Sequence, residues 1–162
     1  MALPTEISQL AATLGASLTN KKLWITTAES CTGGGISYAL TDTPGSSSYI
    51  DRCFVTYSNH AKQSLLGVQE KTLEQHGAVS KETVKEMATG ALLKSGADVA
   101  IAVSGVAGPG GGSVEKPVGT VWMAIKVLDN ELVECQVFPG ERAEVREQVI
   151  EYTLKKAIEL IN

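Results

Sequence analysis

Residues 99–105 read "VAIAVSG", a run with no charge and one hydroxyl, so no alternation of apolar and polar residues marks an outer face. A strand of that kind is covered on both sides, as central strands of α/β sheets are. The chain must then supply helices for two faces. "PTEISQLAATLGASLTN" sets Ile7, Leu10, Ala11, Leu14 and Leu18 on one helical face, starting near Pro4 or Thr5. "GAVSKETVKEMATGALLKSGAD" gives the clearest helix, with Ser80 as N-cap, a stripe of Val84, Met87, Ala88, Ala91 and Leu92, and Gly96 at its end. "RAEVREQVIEYTLKKAIEL" forms a last helix.

Further strands are expected at "KLWITTA" and "YIDRCFVTYS". "VGTVWMAIKV" and "ELVECQVF" flank Asp129-Asn130 as an antiparallel hairpin. A short helix, "ISYALTD", should stop before Pro44-Gly45, and "HAKQSLL" should run from a cap at Ser58 or Asn59 to Gly67. The expected fold is α/β: a single three-layer α/β/α domain over residues 1–162, with a mixed, mostly parallel sheet and one antiparallel hairpin.

A chain of 162 residues with 43% hydrophobic and 20% charged residues can bury a real core, which excludes disordered and fibrous classes. Its net charge of −4 argues against nucleic acid or an anionic membrane surface as partner. No apolar run approaches the ~18 residues of a membrane span, and "MALPTEISQL" does not read as a signal peptide. Cys31, Cys53 and Cys135 are odd in number and widely spaced, as reduced thiols are. A cytoplasmic protein is expected, and a homodimer is a common state for a small α/β enzyme.

The chemistry concentrates where strands end. "TTAESCTGGG" follows a strand and offers Glu29, Ser30, Cys31 and three glycines, among them Gly33 and Gly34. "SGVAGPGGGSVEKPVG" follows another, where α/β proteins bind ligands. It lacks the Gly-Lys-Ser/Thr of a P-loop, and Gly108, Gly110 and Gly111 do not fit a dinucleotide fingerprint. Its bland reading is a floppy connection; its length favours ligand contact through backbone amides. His60 and His76 form no metal motif, and G-x-S-x-G is absent, so neither metal ligation nor a serine–histidine triad has support.

A base must then be found elsewhere, and Lys62 is the obvious candidate, early in a helix that follows a strand. It can serve only if burial or nearby positive charge lowers its pKa. Ser30 and the "GSSS" cluster, Ser46 to Ser48, are candidate nucleophiles, although serine more often caps helices and turns. Cys31, partnered by Glu29 and Lys62, is a rival nucleophile whose commonest reading is a buried structural thiol. Arg142 and Arg146 stand four apart at a helix start, either paired with Glu141, Glu144 or Glu147 or holding a phosphate.

Together, "TTAESCTGG", "PGSSSYIDRCFVTYSNHAK", "LGV", "GAVS", "SGVAGPGGGSVEKPVGTVW" and "GERAEVR" resemble the C-terminal domain family of the competence/damage-inducible protein CinA, over nearly the whole chain. Ser104 stands where that family accepts serine or threonine, and Glu141 where aspartate is common. The resemblance implies hydrolysis of nicotinamide mononucleotide to nicotinic acid mononucleotide and ammonia by a Ser/Lys pair, with neither metal nor cofactor. It implies a small nucleotide as the partner and maps polar site positions onto Ser30, Ser47, Tyr57, Lys62, Ser104 and Arg142. On that mapping Ser47 is the expected nucleophile, Ser30 its supporting donor, Lys62 the base and Tyr57 a holder or relay. Ser104 and the amides of Gly33, Gly34, Gly108 and Gly110 are expected to contact substrate, with Arg142, and secondarily Arg146, on the phosphate. A Cys31-dependent amidase and a silent nucleotide-binding module of the same fold are the alternatives.

Overall fold

The computed structural model describes residues 2–162 and places the run at 99–105 in the middle of a five-stranded sheet. The strands are β1 (Ile25–Glu29), β2 (Phe54–Val55), β3 (Val99–Gly105), β4 (Thr120–Val127) and β5 (Asn130–Val137), in the order β2-β1-β3-β4-β5. β1 pairs in parallel with β2 and β3, while β3–β4 and β4–β5 are antiparallel. Four strands therefore point one way and β4 alone runs against them. The helices are α1 (Thr5–Lys21), α2 (Gly35–Thr41), α3 (Asn59–Leu66), α4 (Glu70–His76), α5 (Lys81–Ser95) and α6 (Arg142–Ile161).

Strand alternation sorts β3 between two cores. Val99, Ile101 and Val103 join Ile7, Leu14 and Leu18 of α1, Ile36 and Leu40 of α2, and Val145, Val149 and Leu154 of α6. Ala100 and Ala102 face the other way, with Ala28 and Ala124, toward Leu66, Leu73, Val84, Met87, Ala88 and Ala91. The second face of the sheet is thus paved with alanines, and α5 can sit close upon it. The result is the three-layer arrangement expected, with the sheet between two helical layers. No helix among the described residues is long and apolar enough to cross a membrane.

Local signals read from the sequence hold in detail at several ends. Ser58 caps α3 by accepting the Ala61 N–H at 3.0 Å, and Gly67 closes it in the left-handed conformation. Ser80 caps α5 through the Thr83 N–H, and Gly96 ends it. Two readings needed revision, and one helix was missed. The strand expected in "YIDRCFVTYS" shrinks to Phe54–Val55, because the chain before it makes only an isolated bridge from Ile50 to Ile25. The hairpin turns at Leu128-Asp129, with Leu128 at φ 54°, since Val127 already pairs with Asn130. α4 escaped notice because only Thr72 and Leu73 of its seven residues are buried, too few to show a period.

One glycine fixes how near α3 may come to α5. A Cβ on Gly90 would lie 1.9 Å from the Leu66 carbonyl oxygen at the end of α3. Alanine has the better intrinsic helix propensity by ~1 kcal/mol, yet the backbone contact must win. Gly90→Ala is expected to lower stability by about 2–3 kcal/mol, as overpacked cores do. That corresponds to a fall in Tm of roughly 5–10 °C for a chain of this length, read by calorimetry.

Candidate active site

The site forms where the parallel strands end. Glu29, the last residue of β1, is fully buried and its carboxylate is shared among four donors. Thr32 Oγ1 donates to Oε1 at 2.7 Å and Thr27 Oγ1 to Oε2 at 3.1 Å. The first amides of α2 complete the set, Ile36 to Oε1 at 2.8 Å and Ser37 to Oε2 at 2.9 Å. A buried carboxylate needs such company. Its effect here is to fold residues 30–34 into a tight turn between strand and helix. Gly33 and Gly34 take φ values of 58° and 96°, which a side chain would oppose. At the head of the turn, the Ser30 N–H donates to Val103 O at 3.1 Å, which holds Ser30 against the central strand.

On the α3 side of the sheet, Lys62 projects into this turn and is 1% exposed. Its Nζ lies 2.9 Å from Ser30 Oγ, 2.9 Å from Thr56 O and 3.1 Å from Tyr57 O. Burial pulls its pKa from the ordinary 10.5 down to about 8, with the Cys31 thiol site acting weakly in the opposite direction. The three neighbours decide what a neutral amine does here. Carbonyl oxygens only accept, so the two remaining N–H bonds go to Thr56 and Tyr57. Ser30 is the one partner that can donate, and the lone pair is left for its hydroxyl. The arrangement can therefore draw a proton from Ser30.

Ser47 lies elsewhere. It is exposed on the 3₁₀ turn Ser46–Ser48, and Tyr49 O, two residues on, accepts the N–H of Ile25 at the opposite end of β1. The sequence distance from Ser47 to Lys62 is short, but the chain between them runs the length of β1 before α3 begins. The structure accordingly brings Ser30 to Lys62 and leaves Ser47 at the far end of the strand.

Cys31 is buried beside Ser30, and burial pushes its thiol up to about 11. Its own backbone amide, Lys62 and Arg146 draw the value down and Glu29 raises it, but desolvation dominates. A thiol so placed resists becoming the thiolate that attacks.

Tyr57 holds Lys62 by its main chain, not by its phenol. The residue is 60% exposed and its hydroxyl accepts from Arg142 Nη2 at 3.0 Å. Arg142 Nη1 donates to Gly108 O at 2.7 Å, so this arginine ties the glycine-rich segment to the β2–α3 connection. Gly108 is buried and Gly110 is exposed in open space. A cleft of about 530 Å³ lies at this point, lined by Ala107, Pro109, Val118, Gly140, Glu141 and Arg142. Ser104 is buried in β3 and follows Ala100 and Ala102 on the strand's alternation, toward the face that carries Lys62. Arg146 lies apart, with Nη2 on Thr32 O at 3.4 Å, behind the turn.

None of the ion pairs among the described residues involves Arg142 or Arg146. The pairing with Glu141, Glu144 or Glu147 considered from the spacing is therefore not made. Glu141 and Glu144 instead form a capping box with the backbone. No cluster of three or more His, Cys, Asp or Glu able to hold a metal occurs among the described residues. Thr56, which acts through a carbonyl, was invisible to residue-type reasoning, and Glu29, considered as a partner of Cys31, serves instead as the knot of the turn. A signal for Glu29 existed, since an acid sat between an apolar strand and a glycine turn leading into a helix.

The model of the CinA C-terminal domain family matches residues 7–161. The chain belongs to that family. It is 54% identical over 153 residues to the nicotinamide-nucleotide amidohydrolase PncC of Enterobacter agglomerans, covering 94% of this chain and 93% of that one. To the protein of the same name from Escherichia coli K12 it is 49% identical over 152 residues, covering 93% and 92%. The crystal structure of the competence/damage inducible protein CihA from Agrobacterium tumefaciens superposes with a TM-score of 0.96 at 46% identity, over the whole of both chains.

A lysine whose folded-state pKa is depressed penalises the native state while it must be charged. Below about pH 8 the penalty is present in full; between about 8 and 10.5 the unfolded chain holds the extra proton, so native stability rises with pH. The stability of wild type relative to Lys62→Met is therefore expected to increase by about 3 kcal/mol between pH 7 and 11. Denaturant melts of both proteins across that range check it; a flat difference would mean that Lys62 keeps an ordinary pKa.

Proposed function

We propose that this chain is a nicotinamide-nucleotide amidase, hydrolysing nicotinamide mononucleotide to nicotinic acid mononucleotide and ammonia, in NAD salvage. The observation that carries the reading is the 2.9 Å contact between Lys62 Nζ and Ser30 Oγ. The names of the PncC relatives supply the substrate.

Neutral Lys62 takes the Ser30 proton as Oγ attacks the carboxamide carbon. The substrate's pyridinium nitrogen withdraws electrons from that carbon and makes it receptive without a metal. The tetrahedral oxyanion is met by backbone amides of the turn. The Thr32 amide, two positions after the nucleophile, has no backbone acceptor among the described residues. Lys62 returns its proton to the departing nitrogen, ammonia leaves, and an acyl ester on Ser30 remains. Water, deprotonated by the same lysine, then releases the carboxylate and restores the serine. Arg142 binds the 5′-phosphate, exchanging its present contacts with Gly108 O and the Tyr57 hydroxyl for phosphate oxygens. Ser104 and the glycine-rich segment contact the rest of the nucleotide.

Ser30 thus takes the role that the family resemblance gave to Ser47. Ammonia release from nicotinamide mononucleotide, in chelator-treated protein, tests both. Ser30→Ala and Lys62→Ala are expected to reduce kcat/KM by about 10³-fold or more, and Ser47→Ala by no more than a few-fold. An inactive Ser47→Ala beside an active Ser30→Ala would return the role to Ser47. Binding of the nucleotide by wild type without any ammonia release would leave a silent module.

The pH profile is a separate check. kcat/KM should climb with pH toward a plateau above about 8, as the free enzyme's base becomes neutral. A profile flat from pH 6 to 9 would exclude Lys62 as that base.

A further inference from the structure

On the other side of the sheet, α1, α2 and α6 enclose a cleft of about 830 Å³. That is within the size range of small-molecule sites. We propose that it is a second ligand site, for a compact molecule with a flat apolar body and a single anionic group.

The walls argue for the body. Leu3, Pro4, Ile7 and Ile150 are apolar, and Tyr38, 56% exposed, adds an aromatic side chain. The backbone of Gly33, Gly34 and Gly35 forms a further wall, open to close approach by a planar group.

Arg146 argues for the charge. It lines the cleft, pairs with no carboxylate among the described residues, and has one long hydrogen bond, Nη2 to Thr32 O at 3.4 Å. Its Nε is buried and has no hydrogen-bond partner among the described residues. A guanidinium with no carboxylate partner among the described residues and a single long hydrogen bond, in apolar surroundings, is suited to a carboxylate or sulfonate. Glu147 lines the same cleft and is exposed. A cleft that holds one cation and one carboxylate favours a monoanion over a phosphate dianion.

The cleft is distinct from the Ser30–Lys62 pair, which lies toward α3, but it shares the turn. Thr32 and Gly33–Gly35, which line it, continue directly from Ser30. A ligand that draws the guanidinium away from Thr32 O touches the segment that positions the nucleophile.

The test uses 1-anilinonaphthalene-8-sulfonate, an aromatic body with one sulfonate, followed by fluorescence titration. Wild type should bind one molecule per chain. Arg146→Leu should weaken it by about tenfold, the worth of one charge-assisted contact, and Ala143→Trp, which fills the cleft from α6, should abolish it. The uncharged N-phenyl-1-naphthylamine should be indifferent to Arg146→Leu and lost with Ala143→Trp. Unaltered sulfonate binding in Ala143→Trp would overturn the proposal, and this arm decides even if Arg146→Leu fails to fold. Displacement of the dye one-for-one by nicotinamide mononucleotide would also overturn it, by making the cleft part of the substrate site. So would loss of binding as the protein self-associates, by making the face an interface between copies.

Discussion

A lysine side chain that is 1% exposed must be fully satisfied or it unfolds its surroundings, and Lys62 is satisfied by three oxygens from two segments. Much of the architecture around it serves that requirement. β2 is only two residues long, yet the Thr56 N–H donates to Glu29 O and delivers two carbonyls to the amine just beyond the strand. α3 must then approach the sheet closely, which the alanines beneath α5 and the bare backbone of Gly90 permit. Burial that costs stability is the same burial that lowers the pKa. A lysine at the surface would avoid that burial and stay charged at neutral pH.

The opposite wall of the site depends on Glu29 in a comparable way. Four donors converge on a buried carboxylate, and between them they bend the chain sharply enough that Ser30 faces one helical layer and Gly33 the other. The two arginines of α6 exploit that division. Arg142 reaches over the rim to Tyr57 and Gly108, while Arg146, one turn later, lies behind the turn that carries Ser30. Neither pairs with a carboxylate among the described residues, so a chain of net charge −4 keeps two cations available to anions near the Ser30–Lys62 pair.

How much of this was legible in the sequence depended on whether the signal was local. The unbroken apolar run of β3, the caps at Ser58 and Ser80 and the terminating glycines Gly67 and Gly96 act within a turn or a strand, and they read correctly. Lys62 could be nominated because few other bases were present. Its partner could not be fixed, because Ser47 and Ser30 lie on either side of a strand whose direction decides everything. Nearness along the chain favoured Ser47; parallel pairing of β1 with β2 and β3 carries Ser30 to the shared end. Thr56 and Tyr57 contribute carbonyls, which every residue has, so no residue type could have announced Thr56 or the main-chain role of Tyr57. The second cleft needed three helices, distant in sequence, to meet at one turn.

Identity of the acylated serine is the most direct measurement. The enzyme would be quenched in acid during turnover of nicotinamide mononucleotide, digested with trypsin and mapped by mass spectrometry. Residues 23–52 contain no lysine or arginine before Arg52, so Ser30 and Ser47 fall in one tryptic peptide and backbone fragmentation must separate them. A nicotinoyl-nucleotide adduct on Ser30, absent from Lys62→Ala, is the predicted result. An adduct on Ser47 or Cys31 would contradict the assignment of Ser30 and Lys62 as the reacting pair.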